Sequence, residues 1–208
     1  MNILYVTSSP RGGASYSGQT GERVLAELRD GNPGAQVVVR DLARNPLPHI
    51  DGDFIAATRG PDGATTEQQR QLLAQSDALV DELFAADVIV IATGMVNFSI
   101  PSTLKSWLDN IARPGRTFSY SEAGPKGLVT GKQVVLIAAS GGVYADKRPL
   151  DFQVPYLKHV LAFLGMTEVE VLDVGGTAFG ADIAAKAVEA ATEQLHARCT
   201  EVKAQSAA

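Results

Sequence analysis

Five short runs of apolar, largely β-branched residues recur along this chain, and each is followed by a loop and a helical pattern. The runs cover residues 2–7, 36–41, 87–93, 133–139 and 168–174. Strands that alternate with helices in this way predict a parallel sheet with helices on both faces. The fold expected from this pattern is therefore α/β, with a doubly wound five-stranded sheet.

The character of two runs predicts where their strands lie in the sheet. The continuous valines of residues 36–41 are typical of a strand that is buried on both faces. The alternating polarity of residues 168–174 is typical of a half-exposed edge strand. We therefore expect the first of these strands to be covered on both faces and the second to lie at an edge of the sheet.

The segments between the runs carry further local signals. Residues 44–64 are rich in proline and glycine, so we expect them to be mostly loop. Thr65 followed by Gln68 predicts a capping box for a long helix over residues 66–85. The alternating stretch 117–121 predicts an excursion hairpin.

Composition narrows the class of protein. The 208 residues are 45% hydrophobic and 20% charged, which predicts a single domain over residues 1–208 with an ordinary core. A net charge of −5 disfavours a nucleic-acid partner. The single cysteine excludes an internal disulfide framework and fits a reducing compartment. With no apolar run of membrane-spanning length, we expect a cytoplasmic protein and no membrane partner.

Ligands of doubly wound sheets bind beyond the carboxyl ends of the strands, so the loops there are the candidate site. The loop after the first run offers hydroxyls at Ser9, Ser15 and Ser17 directly before a helix, where unpaired N–H groups favour a phosphate. It has neither a Walker motif nor the dinucleotide fingerprint. The alternative is a solvated turn in which Ser17 caps the helix.

The loop after the third run surrounds one amide with apolar side chains. Met95, Val96 and Phe98 flank Asn97, a composition that suits a planar heterocycle whose polar edge the amide contacts. A hydrophobic loop that closes the top of the sheet is an equally good interpretation. After the fourth run, Gly141 and Gly142 allow the backbone to approach a ligand closely, although a tight turn would also explain them.

Short motifs occur in order through nearly the whole chain. They are Ser8-Ser9-Pro10-Arg11 with Ser15-Tyr16-Ser17, Met95-Val96-Asn97-Phe98 with Pro101, Leu104-Lys105, Leu108-Asp109, Thr117-Phe118 with Tyr120, Gly124-Pro125, Gly127-Leu128, Gly131-Lys132 and Gly141-Gly142. In this series the chain resembles the FMN-dependent NADH-azoreductase and quinone reductase family, which is flavodoxin-like. It departs from the family at Gly94-Met95-Val96, where Pro-Met-Tyr is usual, so the loop lacks an aromatic wall.

The resemblance implies a homodimer with FMN at the interface. Members of this family pass two electrons from NADH or NADPH to a quinone or azo compound by a ping-pong route, without a side-chain nucleophile. The residues that the resemblance assigns to the cofactor are Ser9, Ser15, Tyr16, Ser17, Met95, Val96, Asn97, Phe98, Ala139, Ser140, Gly141 and Gly142. The loop after the first run matches the phosphate side, and the other two loops match the flavin ring.

Two other functions remain open at this stage. One is a flavodoxin-like electron carrier that serves a protein partner, and the other is a non-catalytic flavin sensor. The three histidines, His49, His159 and His196, have no metal-ligand spacing, so we expect no metal site. The sequence has no Gly-x-Ser-x-Gly motif, which leaves an α/β-hydrolase without support.

Overall fold

A five-stranded parallel sheet runs through the centre of the protein. The computed structural model describes residues 1–122, 124–144 and 150–206. The strands are β1 (Asn2–Thr7), β2 (Gln36–Asp41), β3 (Val88–Gly94), β4 (Phe118–Ser121), β5 (Gly124–Gly127), β6 (Gln133–Ala139) and β7 (Glu168–Val174). The sheet has the order β2-β1-β3-β6-β7 with all neighbouring strands parallel, while β4 and β5 form a separate hairpin. The predicted fold class and the predicted hairpin are both confirmed.

Helices cover both faces of the sheet. They are α1 (Tyr16–Asp30), α2 (Gly52–Arg59), α3 (Glu67–Ala85), α4 (Ser102–Ile111), α5 (Val154–Leu164) and α6 (Ala181–Ser206), with a short 3-10 turn over Gly12–Ala14 before α1. On one face, Val24 and Leu25 of α1 and Val188 of α6 are buried in one apolar core. On the other face, Trp107 of α4 and Leu161 of α5 belong to a second core with α3. Each face of the sheet thus has its own layer of helices.

The strand β2 lies at the edge of the sheet, so the prediction that it is buried on both faces is wrong. Val38 is 46% exposed and Val39 is 56% exposed. Their strand pairs with β1 alone. A run of valines reflects the β-branched side chains that a strand favours, and burial depends on the neighbours that the strand finds. The other edge is β7, as its alternating polarity predicted.

The segment predicted as loop over residues 44–64 contains the helix α2. Asp51 begins it, because its carboxylate accepts a hydrogen bond from the N–H of Phe54 at 2.9 Å. Phe54 and Ala57 are buried, and α2 packs against α3. The capping box that begins α3 is formed by Thr66 and Gln69, one residue later than predicted.

The hairpin β4–β5 packs against the carboxyl end of α5. A Cβ atom on Gly127 would lie 2.2 Å from the backbone nitrogen of Gly165, so the two backbones touch there and only glycine fits. Gly165 has a φ of 107° and ends α5 in the left-handed region. None of the described helices is long and apolar enough to span a membrane.

Candidate functional site

The carboxyl ends of the central strands form a hydrogen-bonded platform. Ser8, just after β1, donates its N–H to the carbonyl of Ala92 at 3.2 Å and its hydroxyl to Thr93 at 3.0 Å. Met95, just after β3, donates its N–H to the carbonyl of Ala139 at 2.7 Å. The chain leaves β1 towards β2 on one side and returns to β3 on the other, so this platform is the switch point where ligands of such sheets bind.

A cleft with a volume of about 250 Å³ opens on this platform. The predicted site residues that line it are Ser9, Ser15, Tyr16, Ser17, Met95, Ala139, Ser140 and Gly141. The other lining residues, which were not predicted from the sequence, are Arg11, Gly94, Thr177 and Ala178. All three predicted loops therefore meet at one cleft, and the loop after β7 joins them.

At one end of the cleft, two buried serines lie at the start of α1. Ser15 caps the helix, because its Oγ accepts a hydrogen bond from the N–H of Gly18 at 3.1 Å. Its Oγ also lies 3.1 Å from the Oγ of Ser17, and either hydroxyl can be the donor of that bond. One of the two hydroxyl protons is therefore left for an acceptor in the cleft. With the unpaired N–H groups of the first helical turn, this end suits an anion.

Arg11 is the one basic residue among those that line the cleft in the described structure. Its guanidinium lies 5.5 Å from the centroid of the Tyr16 ring, a distance typical of a cation–π contact. The chain then turns through Gly12, which has a φ of 53°, to reach Ser15. Arg11 thus adds a full positive charge beside the serines and the start of α1.

The loop after β3 forms a tight turn directly after Gly94 and Met95, which line the cleft. Val96 and Ser99 exchange backbone hydrogen bonds of 2.9 and 3.0 Å, and both Asn97 and Phe98 have positive φ. Val96 is 44% exposed and Phe98 is 48% exposed. These two residues and Asn97 were predicted to bind the ligand, but within one chain they are not among the residues that line the cleft.

The loops after β6 and β7 are joined by backbone hydrogen bonds. The N–H of Ala178 donates to the carbonyl of Gly141 at 3.1 Å, and the N–H of Gly176 donates to the carbonyl of Gly142 at 2.8 Å. Thr177 donates both its N–H and its hydroxyl to the carbonyl of Ser140 at 3.0 Å. Gly142 therefore supports the loop, and it does not line the cleft. Because β7 pairs with β6 in parallel, its carboxyl end lies at the same edge of the sheet. Including the loop after β7 among the candidate loops would therefore have identified Thr177 and Ala178.

The cleft offers hydrogen-bond donors and space, and its described lining contains no acid, histidine or cysteine side chain. The described residues also contain no group of three His, Cys, Asp or Glu that could hold a metal ion. The strongest pKa change near this region is at Tyr5, where burial and the nearby charge of Glu22 raise the pKa to about 12. Tyr5 packs beneath α1 and does not line the cleft. The chemistry of such a site must come from a bound molecule.

Comparison with known proteins places this arrangement in a family. A family described as having a flavodoxin-like fold matches residues 1–199. The chain belongs to this family. The resemblance predicted from the sequence motifs is confirmed at this level.

Similar proteins cover nearly the full chain. An FMN-dependent NADH:quinone oxidoreductase of Mesorhizobium japonicum is 48% identical over 210 residues, covering 100% of both chains. An FMN-dependent NADH:quinone oxidoreductase 1 of Rhizobium etli is 51% identical over 196 residues, covering 93% of this chain and 96% of its own. Among solved structures, azoreductase from Bacillus anthracis superposes with a TM-score of 0.85 at 29% identity, covering 93% of this chain and 96% of that chain.

Proposed function

We propose that this protein is an FMN-dependent oxidoreductase that passes two electrons from NADH or NADPH to quinones and azo compounds. The observation that carries the proposal is the cleft at the switch point, whose lining combines anion-binding groups at the start of α1 with glycines at the carboxyl ends of β3 and β6. Relatives that are about half identical and match in length are named for this cofactor and this reaction. The geometry and the similarity thus agree on one class of ligand.

The lining residues fit the parts of FMN in turn. A phosphate at the Ser15 end would meet a hydroxyl proton, helix N–H groups and the charge of Arg11. At the ring end, a Cβ atom on Gly94 would meet only the carbonyl oxygen of Ala139, at 4.0 Å. A Cβ atom on Gly141 would meet the Cβ of Ala178 at 3.4 Å. Neither glycine is needed for packing against its own chain, so both leave open surface for a flat ring.

The protein then has to hold the phosphate and present its backbone to the ring. When bound, FMN supplies the redox chemistry, because its ring can take up and release two electrons. Ser15, Ser17 and Arg11 would hold the phosphate, and the loop through Gly141 would present its backbone to the ring. Since the carbonyl of Gly141 is already bonded to Ala178, this loop is fixed before the ring binds. The N–H groups of a loop held in this way are preorganised, and preorganised N–H donors stabilise negative charge without rearrangement.

A second copy of the chain would complete the site. The cleft of about 250 Å³ is smaller than the roughly 300–1,000 Å³ of typical small-molecule sites. Val96 and Phe98 leave apolar surface exposed in the turn directly after Met95, and Phe152, joined to Phe98 by a backbone hydrogen bond, is 57% exposed. These features support a homodimer whose interface covers the ring. In the proposed reaction, donor and acceptor would then use the shared pocket one after the other, by a ping-pong route. The single cysteine supports a cytoplasmic location.

The decisive experiment is spectroscopy of the purified protein with added FMN, followed by turnover. We expect flavin absorbance that bleaches without oxygen when NADH or NADPH is added and returns when a benzoquinone is added. Bleaching by one nucleotide alone identifies the donor. Bound FMN without nicotinamide turnover would favour an electron carrier or a flavin sensor. Absence of FMN binding would refute the proposal.

A further inference from the structure

The turn over Val96–Ser99 has a backbone conformation that its residues do not favour. The central residues have φ values of 48° at Asn97 and 69° at Phe98. Asparagine tolerates the left-handed region, but the second position of a turn with two positive φ values is usually glycine. A bulky side chain there is strained. Contacts from outside the turn must therefore keep Phe98 in this conformation.

One such contact comes from the segment just before α5. The N–H of Phe152 donates to the carbonyl of Phe98 at 3.0 Å. The direction of a carbonyl follows the backbone torsions of its own residue. A donor that is fixed in space at this point therefore favours the left-handed conformation of Phe98 over the alternatives, in which the carbonyl would turn away and leave the bond.

Asp151 fixes the position of that donor. Its Oδ1 accepts hydrogen bonds from the N–H groups of Gln153 at 2.8 Å and Val154 at 3.1 Å. Phe152 lies inside this closed turn, so its N–H cannot move without breaking it. This Asp151 turn is itself held in the core, because Gln153 is 1% exposed and Leu157 is fully buried.

We propose that Asp151 is a positioning residue for the turn over Val96–Ser99. By holding the N–H of Phe152, it keeps Phe98 in the left-handed region and thereby fixes the position of Asn97 beside it. Asp151 does not line the cleft within the described structure, so it acts only through Phe152. That the ligand at this turn is a flavin rests on the proposed function, but the positioning role itself does not.

The first test uses hydrogen exchange on the ligand-free protein. In Asp151→Ala we expect the amides of Val96 and Ser99 to exchange about fivefold faster. Losing a side-chain acceptor at a helix start costs about 1 kcal/mol, which corresponds to about fivefold in the opening equilibrium. Asp51→Ala is the matched control, since Asp51 accepts the N–H of Phe54 at the start of α2. It should leave the turn unchanged. Asp151→Asn should restore slow exchange, because an amide oxygen accepts the same bonds.

The contrary result is equally clear. If Val96 and Ser99 exchange at the wild-type rate in Asp151→Ala while Val154 exchanges faster, then Asp151 only caps α5 and the proposal is wrong. Should Asp151→Ala fail to fold, Phe152→Pro removes the N–H donor and Phe152→Ala retains it. We expect faster exchange of the turn in the proline variant alone. Equal exchange in both variants would overturn the proposal.

A second readout connects the turn to the flavin. We expect Asp151→Ala to bind FMN and riboflavin about fivefold more weakly, and to the same extent, because the turn would contact the ring and not the phosphate. Wild-type protein that binds neither flavin would overturn the proposed function, while the exchange data would still decide the positioning role. If the wild type and Asp151→Ala bind flavin with equal affinity, then Asp151 has no role in flavin binding.

Discussion

Replacing Ser15 by alanine separates the role of this serine as a helix cap from its role as a phosphate donor. The Oγ of Ser15 accepts a hydrogen bond from the N–H of Gly18 and forms a second hydrogen bond with the Oγ of Ser17, both at 3.1 Å. Alanine removes both bonds. Where Ser17 donates to Ser15, the proton of Ser15 is the one that an anion in the cleft would accept, and alanine removes that proton as well.

The expected loss of stability follows from these contacts. Losing an N-cap costs about 1 kcal/mol, and leaving the buried hydroxyl of Ser17 without its partner costs at least about 1 kcal/mol more. A total of about 2 kcal/mol lowers the midpoint of thermal unfolding by about 4–8 °C for a chain of this size. Thr66→Ala is the matched control, because Thr66 caps α3 through the N–H of Gln69 and lies outside the cleft lining. It should cost about 1 kcal/mol.

The effect on binding is specific to the phosphate. A hydrogen bond to a charged group contributes about 1.5–3 kcal/mol, so Ser15→Ala should weaken FMN binding by about 10- to 150-fold. Riboflavin, which has no phosphate, should bind with the same affinity to the variant and to the wild type. Fluorescence titration with both flavins measures the difference. Equal FMN affinity for Ser15→Ala and Thr66→Ala would show that Ser15 takes no part in phosphate binding.

Variants at four further positions test other parts of the reasoning. Arg11→Gln should weaken FMN binding about tenfold at low salt and less at high salt, with riboflavin unaffected; an effect equal for both flavins would contradict a phosphate contact. Asn97→Ala and Asn97→Gly should both weaken flavin binding or slow flavin reduction by about 1–3 kcal/mol, and glycine separates the loss of the amide from strain at the positive φ of 48°. Val96→Tyr should change the preference among quinones and azo dyes without changing the fold, and identical rates over a panel would show that this position does not touch the acceptor. Because burial raises the pKa of Tyr5 from 10.0 to about 12, its stabilising effect is complete below pH 10 and is lost between pH 10 and 12. In urea unfolding, the free energy of unfolding of Tyr5→Phe should therefore fall less between pH 10 and 12 than that of the wild type. An equal fall in both proteins would contradict this.

Much of the fold could be predicted because its signals are local. The predicted runs over residues 2–7, 36–41, 133–139 and 168–174 coincide with β1, β2, β6 and β7, since β-branched apolar runs bounded by polar turns form strands in almost any context. The helix α2 escaped prediction because the prolines and glycines around it outweighed Asp51 and Phe54. That short helix is stabilised by its packing against α3 and by the hydrogen bond that the side chain of Gln69 donates to Asp53.

The candidate site shows the same division. The loops after β1, β3 and β6 could be identified because parallel strands bring their carboxyl ends to one edge. The contribution of Thr177 and Ala178 depends on the pairing of β6 with β7, which places Ala139 level with Val174. The backbone hydrogen bond from Phe152 to Phe98 joins distant parts of the chain, and no local pattern predicts it.

By itself, the sequence determined the alternation of strands and helices, the class of sheet, and the loops that meet a ligand, because each of these follows from side chains a few residues apart. Only the tertiary structure decided that the valines of β2 lie at an exposed edge, that Ser15 and Ser17 share a proton, and that Phe98 is held in a strained conformation. Those features depend on which distant groups become neighbours. That is settled when the whole core packs, since a hydrogen bond or a buried face needs a partner that local sequence does not specify.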